Sequence, residues 1–130
     1  MPIEVELVSP ERILFSGEAE MVVCRTIGGG EVAFLEGHIP FLGALEIASA
    51  RIKKTDGDYE VAAAHGGFVH VKDNKVVILS DVAELKSQID VERARRAQDA
   101  AEQRQHQEDD TEAEAALRRA HVRLEVAESR

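Results

Sequence analysis

The stretch Glu84-Leu85-Lys86-Ser87-Gln88-Ile89-Asp90-Val91-Glu92-Arg93-Ala94 marks the point where one kind of sequence gives way to another. On its upstream side lie all nine glycines, the last at Gly67, and all three prolines, the last at Pro40. On its downstream side the chain turns to Ala, Glu, Arg and Gln, the residues that lose least on entering a helix. This asymmetry predicts an α+β chain in two parts. Residues 1–86 form an N-terminal antiparallel β-sandwich, and residues 87–130 form a C-terminal antiparallel helical hairpin.

Upstream, the apolar period is short. Ile3-Glu4-Val5-Glu6-Leu7 alternates apolar and polar residues, the pattern of a half-buried strand, and Ser9-Pro10 ends it. Ile13-Leu14-Phe15 runs into Ser16-Gly17, which reads as a turn, and Ala19 to Ile27 is a strand closed by Gly28-Gly29-Gly30. Further strands are expected at Glu31 to Leu35, Ala44 to Lys54, Tyr59 to Ala64, Phe68 to Val71 and Lys75 to Leu79. Thr55-Asp56-Gly57-Asp58 and Asp73-Asn74 read as tight hairpin turns. Aromatics are only 4% of the chain and Trp is absent, so the core must be built from Val, Ile, Leu and Ala. Short aliphatic strands at close spacing point to a small sandwich or barrel.

Downstream, Ile89 to about Gln107 holds no breaker and reads as a helix, with Asp90 as N-cap and Arg93 three residues on. Glu108-Asp109-Asp110 separates it from a second helix running from near Glu112 to about Glu128. Thr111 with Glu114 makes a capping box at the start of that helix. Its apolar stripe is Ala113, Ala116, Leu117, Ala120, Leu124 and Ala127, facing Ala94, Ala97, Ala100 and Ala101 of the first helix. A buried Leu contributes about 1.5–3 kcal/mol and an Ala methyl much less. A seam of this composition is weak against the entropy of ordering two helices. The hairpin is therefore expected to detach or extend when another surface competes for it, the alternative being a fixed coiled-coil spacer.

The formal charge of −9 argues against a nucleic-acid partner, because each phosphate contact requires a Lys or Arg. The single cysteine, Cys24, sits in the apolar run Met21-Val22-Val23-Cys24 and reads as a small core hydrophobe. The start Met1-Pro2-Ile3-Glu4 lacks the basic and apolar regions of a signal peptide, and no apolar run approaches the roughly 20 residues of a membrane span. A cytosol-like compartment is expected, with room for side-on binding to a membrane complex.

Catalytic chemistry has no constellation behind it. The five histidines, His38, His65, His70, His106 and His121, fall in no metal-ligand spacing. Gly28-Gly29-Gly30-Glu31 lacks the Lys-Ser or Lys-Thr of a phosphate-binding loop and precedes a strand, so it reads as a hairpin turn. Two segments are more pointed. Glu31 to Pro40 is a strand entering a compact loop, with Glu31 and His38 read as facing outward at one end of the domain. The second is the joint itself, where Glu84, Asp90 and Arg93 gather near the start of a helix.

These residues carry a family resemblance. Gly30-Glu31 followed by Gly37-His38-Ile39-Pro40, then Gly66-Gly67-Phe68, then Ile89-Asp90-x-x-Arg93-Ala94, and finally Arg119-Ala120 with Arg123-Leu124, resemble the epsilon subunit of bacterial F-type ATP synthases over essentially the whole length. The resemblance implies a non-catalytic rotor subunit of the central stalk that couples the gamma subunit to the c-ring of a proton-translocating machine. It implies c-ring contact through the positions of Glu31 and His38. It further implies that residues 87–130 are a regulatory hairpin that restrains ATP hydrolysis when extended toward the alpha and beta subunits, and a location on the cytoplasmic face of a bacterial plasma membrane. Some family members hold the compact hairpin with ATP. The matching positions for nucleotide binding are Glu84, Ile89, Asp90, Arg93, Ala94, Arg119 and Arg123. Glu36 stands where the family often has Pro, and Ala100 where some ATP-binding members carry a basic residue. Forked arginine donors suit phosphate, and without a ligand the same arginines would pair with Glu92, Glu125 and Glu128. The alternative is a stand-alone nucleotide-sensing protein whose hairpin closes on its ligand, with Mg²⁺ left open.

Overall fold

The computed structural model describes residues 2–107 and 111–128, with side chains placed at 2–104 and 112–128. The strands, in chain order, are β1 (Ile3–Val8), β2 (Ile13–Thr26), β3 (Gly30–Leu35), β4 (Phe41–Ala44), β5 (Ile47–Lys54), β6 (Tyr59–His65), β7 (Phe68–Lys72), β8 (Lys75–Leu79) and β9 (Ala83–Leu85). A 3-10 turn at Lys86–Gln88 leads into α1 (Val91–Gln107), followed by α2 (Thr111–Glu128). The strands pair in the order β4-β7-β8-β1-β2-β5-β6-β9, with β3 also on β2.

One long strand makes the sandwich out of this continuous sheet. The first half of β2, from Ile13 to Ala19, pairs with β1, while its second half pairs with β3 and β5. A register shift between Ala19 and Met21 bends the strand from one layer to the other, as a bulge does. Between the layers lies an aliphatic core that includes Ile3, Val5, Leu7, Val22, Ile52, Val69, Val71, Val76 and Ile78, with Phe34 as its largest ring. The pairings are antiparallel except β1 on β8, which run parallel because the β7–β8 hairpin returns beside the first strand.

Several local expectations need correction. Ser16-Gly17 is no turn: β2 runs straight through it, with Ser16 opposite Glu6 and Gly17 opposite Val5. The Phe15 ring lies beside Gly17, 3.6 Å from where a Cβ would stand, an ordinary contact distance. The chain reverses earlier, at Ser9 to Arg12, where the two backbones exchange hydrogen bonds of 2.9 and 3.3 Å. The single strand expected from Ala44 to Lys54 is interrupted at Leu45-Glu46, because β4 pairs with β7 while β5 pairs with β2 and β6 in the other layer. The short strand β9, hydrogen-bonded to β6, was not foreseen. Asp73 and Asn74 do form the tight turn expected, both at positive φ.

The hairpin packs as two antiparallel helices. Asp90 caps α1 through its Oδ1, which accepts the Arg93 N–H at 3.1 Å. Ala94 and Ala101 of α1 and Ala113 and Ala120 of α2 are buried, whereas Ala97 and Ala100 are exposed. The expected capping box of Thr111 with Glu114 turns on the Thr111 side chain, which lies outside the described side chains. The stripe read from sequence omitted Val122 and Val126. These are buried with Val61 and Ala63 of β6, flanked by Ile47 and Ile89, and they seat α2 on the sandwich. The hairpin is thus held by a seam of its own and by a valine patch on the sheet.

Candidate functional site at the joint

The joint is assembled by strand register. Pairing of β9 with β6 sets Glu84 opposite Ala63, so the Glu84 carboxylate emerges beside the end of β6 on the face covered by α2. There the Arg123 Nε–H of α2 donates to Glu84 Oε1, forming a half-buried ion pair between sandwich and hairpin. The same oxygen lies 3.6 Å from Nε2 of His65, too far for a hydrogen bond. His65 is 3% exposed, and neither ring nitrogen has a hydrogen-bond partner among the described residues. Burial, assisted by Arg123 and Arg119 and opposed by Glu84, lowers its pKa from 6.5 to about 4. The imidazole is neutral in this arrangement. Its backbone is fixed: the His65 N–H donates to the Val82 carbonyl at 2.9 Å and to Ser80 Oγ at 3.2 Å, and the buried Ser80 hydroxyl sits 2.8 Å from the Gly66 carbonyl oxygen.

The structure brings most of the residues expected to bind nucleotide to this one region. Asp90 is committed to capping α1, Ala94 is buried in the helical seam, and Ile89 packs on the valine patch. Arg93 is exposed, without an ion-pair partner among the described residues. Arg119 and Arg123 of α2 are paired, but with other carboxylates than expected. Arg119 bonds Glu112 at 2.8 Å and Arg123 bonds Glu84, instead of Glu92, Glu125 and Glu128. The sheet supplies the closer carboxylate for Arg123, and Glu112, two turns back on α2, the one for Arg119.

Glu31 and His38 are not neighbours, which corrects the reading that put both at one end of the domain. Glu31 is the second residue of β3, beside the glycine turn, and bonds Arg51 at 2.6 Å. His38 lies beyond the far end of that strand, stacked edge-on against Phe34 at 4.9 Å, with Nδ1 2.7 Å from the Ile39 carbonyl oxygen. A strand length separates them. Glu31 also borders a groove of about 600 Å³ between β5 and α2, with Arg25, Arg51, Arg118 and Val122 around it. Ile39 and Leu42 project into solvent near His38, 74% and 70% exposed. Cys24 is buried, and burial pushes its thiol up to about 12, so it is inert. Among the described residues no cluster of His, Cys, Asp or Glu is arranged to hold a metal ion.

Comparison with known proteins settles the family. Residues 2–86 match the family described as ATP synthase, Delta/Epsilon chain, beta-sandwich domain, and residues 87–128 match its long alpha-helix domain. The chain belongs to the ATP synthase delta/epsilon family. An ATP synthase epsilon chain from Streptomyces avermitilis is 43% identical over 128 residues, covering 98% of this chain and 97% of the relative. Another epsilon chain, from Brevibacillus brevis, is 48% identical over 101 residues, covering 77% and 75%. Among solved structures, a chain of the Euglena gracilis mitochondrial ATP synthase, in a complex of OSCP, F1 and c-ring, superposes with a TM-score of 0.82. It is 25% identical and covers 97% of this chain and 81% of the other. As an epsilon-type chain, the protein is a non-catalytic subunit, and the sandwich-plus-hairpin architecture read from its sequence is that of the family. His65, Val122 and Val126 are the residues of the joint that the sequence reading missed. The Val122-x-x-x-Val126 spacing was the available signal for two of them.

Proposed function

We propose that this epsilon-family chain is the central-stalk rotor subunit of a proton-translocating F-type ATP synthase, joining the gamma subunit to the c-ring. The observation that carries this reading is the full-length match of both parts of the chain to epsilon chains, on a shared fold. Its place is the cytoplasmic face of a bacterial plasma membrane, where it attaches peripherally; no helix among the described residues is long and apolar enough to cross a membrane. Glu31 and His38 serve as two separate contact points toward the c-ring rather than one. Cysteine substitution at each, with cross-linking in the assembled complex, tests them independently, and a cross-link to the ring from neither position removes the assignment.

The hairpin is the regulatory part. Docked through Val122 and Val126 and through the Glu84–Arg123 pair, it is compact; released, it extends along gamma toward alpha and beta and obstructs ATP hydrolysis. ATP is the ligand that favours the compact form, with Glu84, Ile89, Asp90, Arg93, Ala94, Arg119 and Arg123 around it. Arg93, without an ion-pair partner among the described residues, is available to a phosphate, and Arg119 reaches one by leaving its exposed partner Glu112. With a Kd near 1 mM, ATP at a few millimolar stabilises the compact form by about 1 kcal/mol, a several-fold bias on the docking equilibrium. Terminating the chain after Gln88 should leave assembly intact and raise ATPase activity of the reconstituted complex. Unchanged hydrolysis under inhibitory conditions would remove the regulatory claim. Calorimetric titration of ATP into the isolated chain, with Arg93→Ala and Arg123→Ala as controls, addresses the ligand, and no heat at millimolar ATP refutes it.

A further inference from the structure

We propose that His65 is a proton-operated latch for the hairpin: a proton on its imidazole lets Glu84 exchange Arg123 for His65 and frees α2 from the sandwich. The inference rests on the docked geometry and on the proposed detachment of the hairpin, and does not require that ATP bind.

Three features of the joint carry it. First, His65 and Glu84 both belong to the sandwich, on the paired strands β6 and β9, so they stay together when α2 leaves. Second, the carboxylate of Glu84 is the shared element, ion-paired to Arg123 and 3.6 Å from Nε2 of His65. Third, the ring is 3% exposed with both nitrogens unpartnered among the described residues, an arrangement a neutral imidazole tolerates and an imidazolium does not. The charged groups that face it are Glu84 of β9 and Arg119 and Arg123 of α2. Asp81, from the β8–β9 connection, approaches the neighbouring Gly66. Both cations belong to the element that departs, and the anion belongs to the one that remains.

The direction follows from linkage. In the docked state the pKa of His65 is depressed from 6.5 to about 4. With α2 released, the ring regains water, loses two cationic neighbours and keeps Glu84, so its pKa returns to 6.5 or above. The released state therefore binds the extra proton. Docking is at full strength above pH 6.5 and weakens as pH falls from there toward 4. Between pH 7.5 and 5.5 the docking equilibrium shifts toward release by about tenfold.

Energy transfer between pH-insensitive dyes in the full chain reads this out, one dye on Ser16→Cys in the sandwich and one on Glu114→Cys in α2. Cys24, buried and with its thiol pushed up to about 12, stays unlabelled. Transfer should fall on acidification below pH 6.5 in the parent chain and stay level over the same range in His65→Gln. An identical pH dependence in His65→Gln overturns the proposal. Because that variant is at a buried position, the parent chain supplies a second readout, the histidine ring resonances. His65 should titrate in step with the loss of transfer, and a ring that titrates while the hairpin stays docked also overturns it.

Discussion

Gly67 has no space for a side chain. Its φ is +110°, and a Cβ added there would stand 2.0 Å from the Leu79 carbonyl oxygen and 2.7 Å from the Ser80 Cα. Those are backbone atoms at the end of β8, held by the pairing of Leu79 with Phe68, so they cannot retreat without opening the sheet. Gly28 makes the instructive contrast: φ is also positive, at +79°, but nothing lies within 4 Å of a built Cβ. Gly28→Ala should therefore cost only the conformational penalty, about 1 kcal/mol. Gly67→Ala should cost distinctly more, at least about 2 kcal/mol, because strain and collision add. Urea unfolding of the two variants compares them directly, and equal losses would contradict the crowding argument. The glycine pair was legible in the sequence as part of the Gly66-Gly67-Phe68 motif. What sequence did not reveal is its neighbour His65, whose meaning depends on a carboxylate nineteen positions later and an arginine from the far helix.

The helix α2 is a two-faced element, and that explains what pattern reading recovered and what it lost. At about 100° per residue, Val122 and Val126 lie about 200° and 240° around the helix from Ala120. Ala120 and Ala113 form the side turned to α1, and the two valines form the side turned to the sheet. A search for one apolar stripe finds the alanine side, counts the valines as off-face, and so makes the hairpin look detached. The strands were legible for the opposite reason: Ile3, Val5 and Leu7 bury one face only, and alternation reports that without ambiguity. Where a strand changes layers, as at Leu45-Glu46, or threads a glycine, as β2 does at Gly17, the local signal mimics continuity or a turn, and only the pairing partners decide. The valine face leads to a prediction. Val126→Ala removes two buried methyl groups from the docking patch, about 1.5 kcal/mol, and should shift the hairpin toward release by roughly tenfold. The sandwich's own unfolding should barely change. The same two-dye distance measurement detects the first effect, and a docking equilibrium unaltered by the substitution would show that the valine patch does not hold α2.

At the level of the whole molecule, the two parts are unequal in stability. Among the described residues, the main core, from Ile3 to Ala83 with Leu85 packed against it, is built from the sandwich with no side chain from either helix. Among the described residues the hairpin's own apolar cluster meets the sheet at Ile47, Val61 and Ala63, with the Glu84–Arg123 ion pair beside it. A chain ending at Gln88 should therefore fold by itself and unfold cooperatively, with a thermal midpoint within about 5 °C of the full chain. Loss of a cooperative transition would show that the hairpin is part of the sandwich's stability. The same truncation separates the electrostatics of the joint from its packing. It removes Arg119 and Arg123 and exposes the ring of His65, but leaves Glu84 on the adjacent strand. The His65 pKa should then climb from about 4 to at least its ordinary 6.5, since both causes of its depression leave while the one opposing them stays. In the truncated chain His65 is partly charged near neutral pH, and in the docked full chain it is not. A ring resonance that still titrates near pH 4 after truncation would mean that the sandwich alone depresses it, and α2 would then have no hold on the proton.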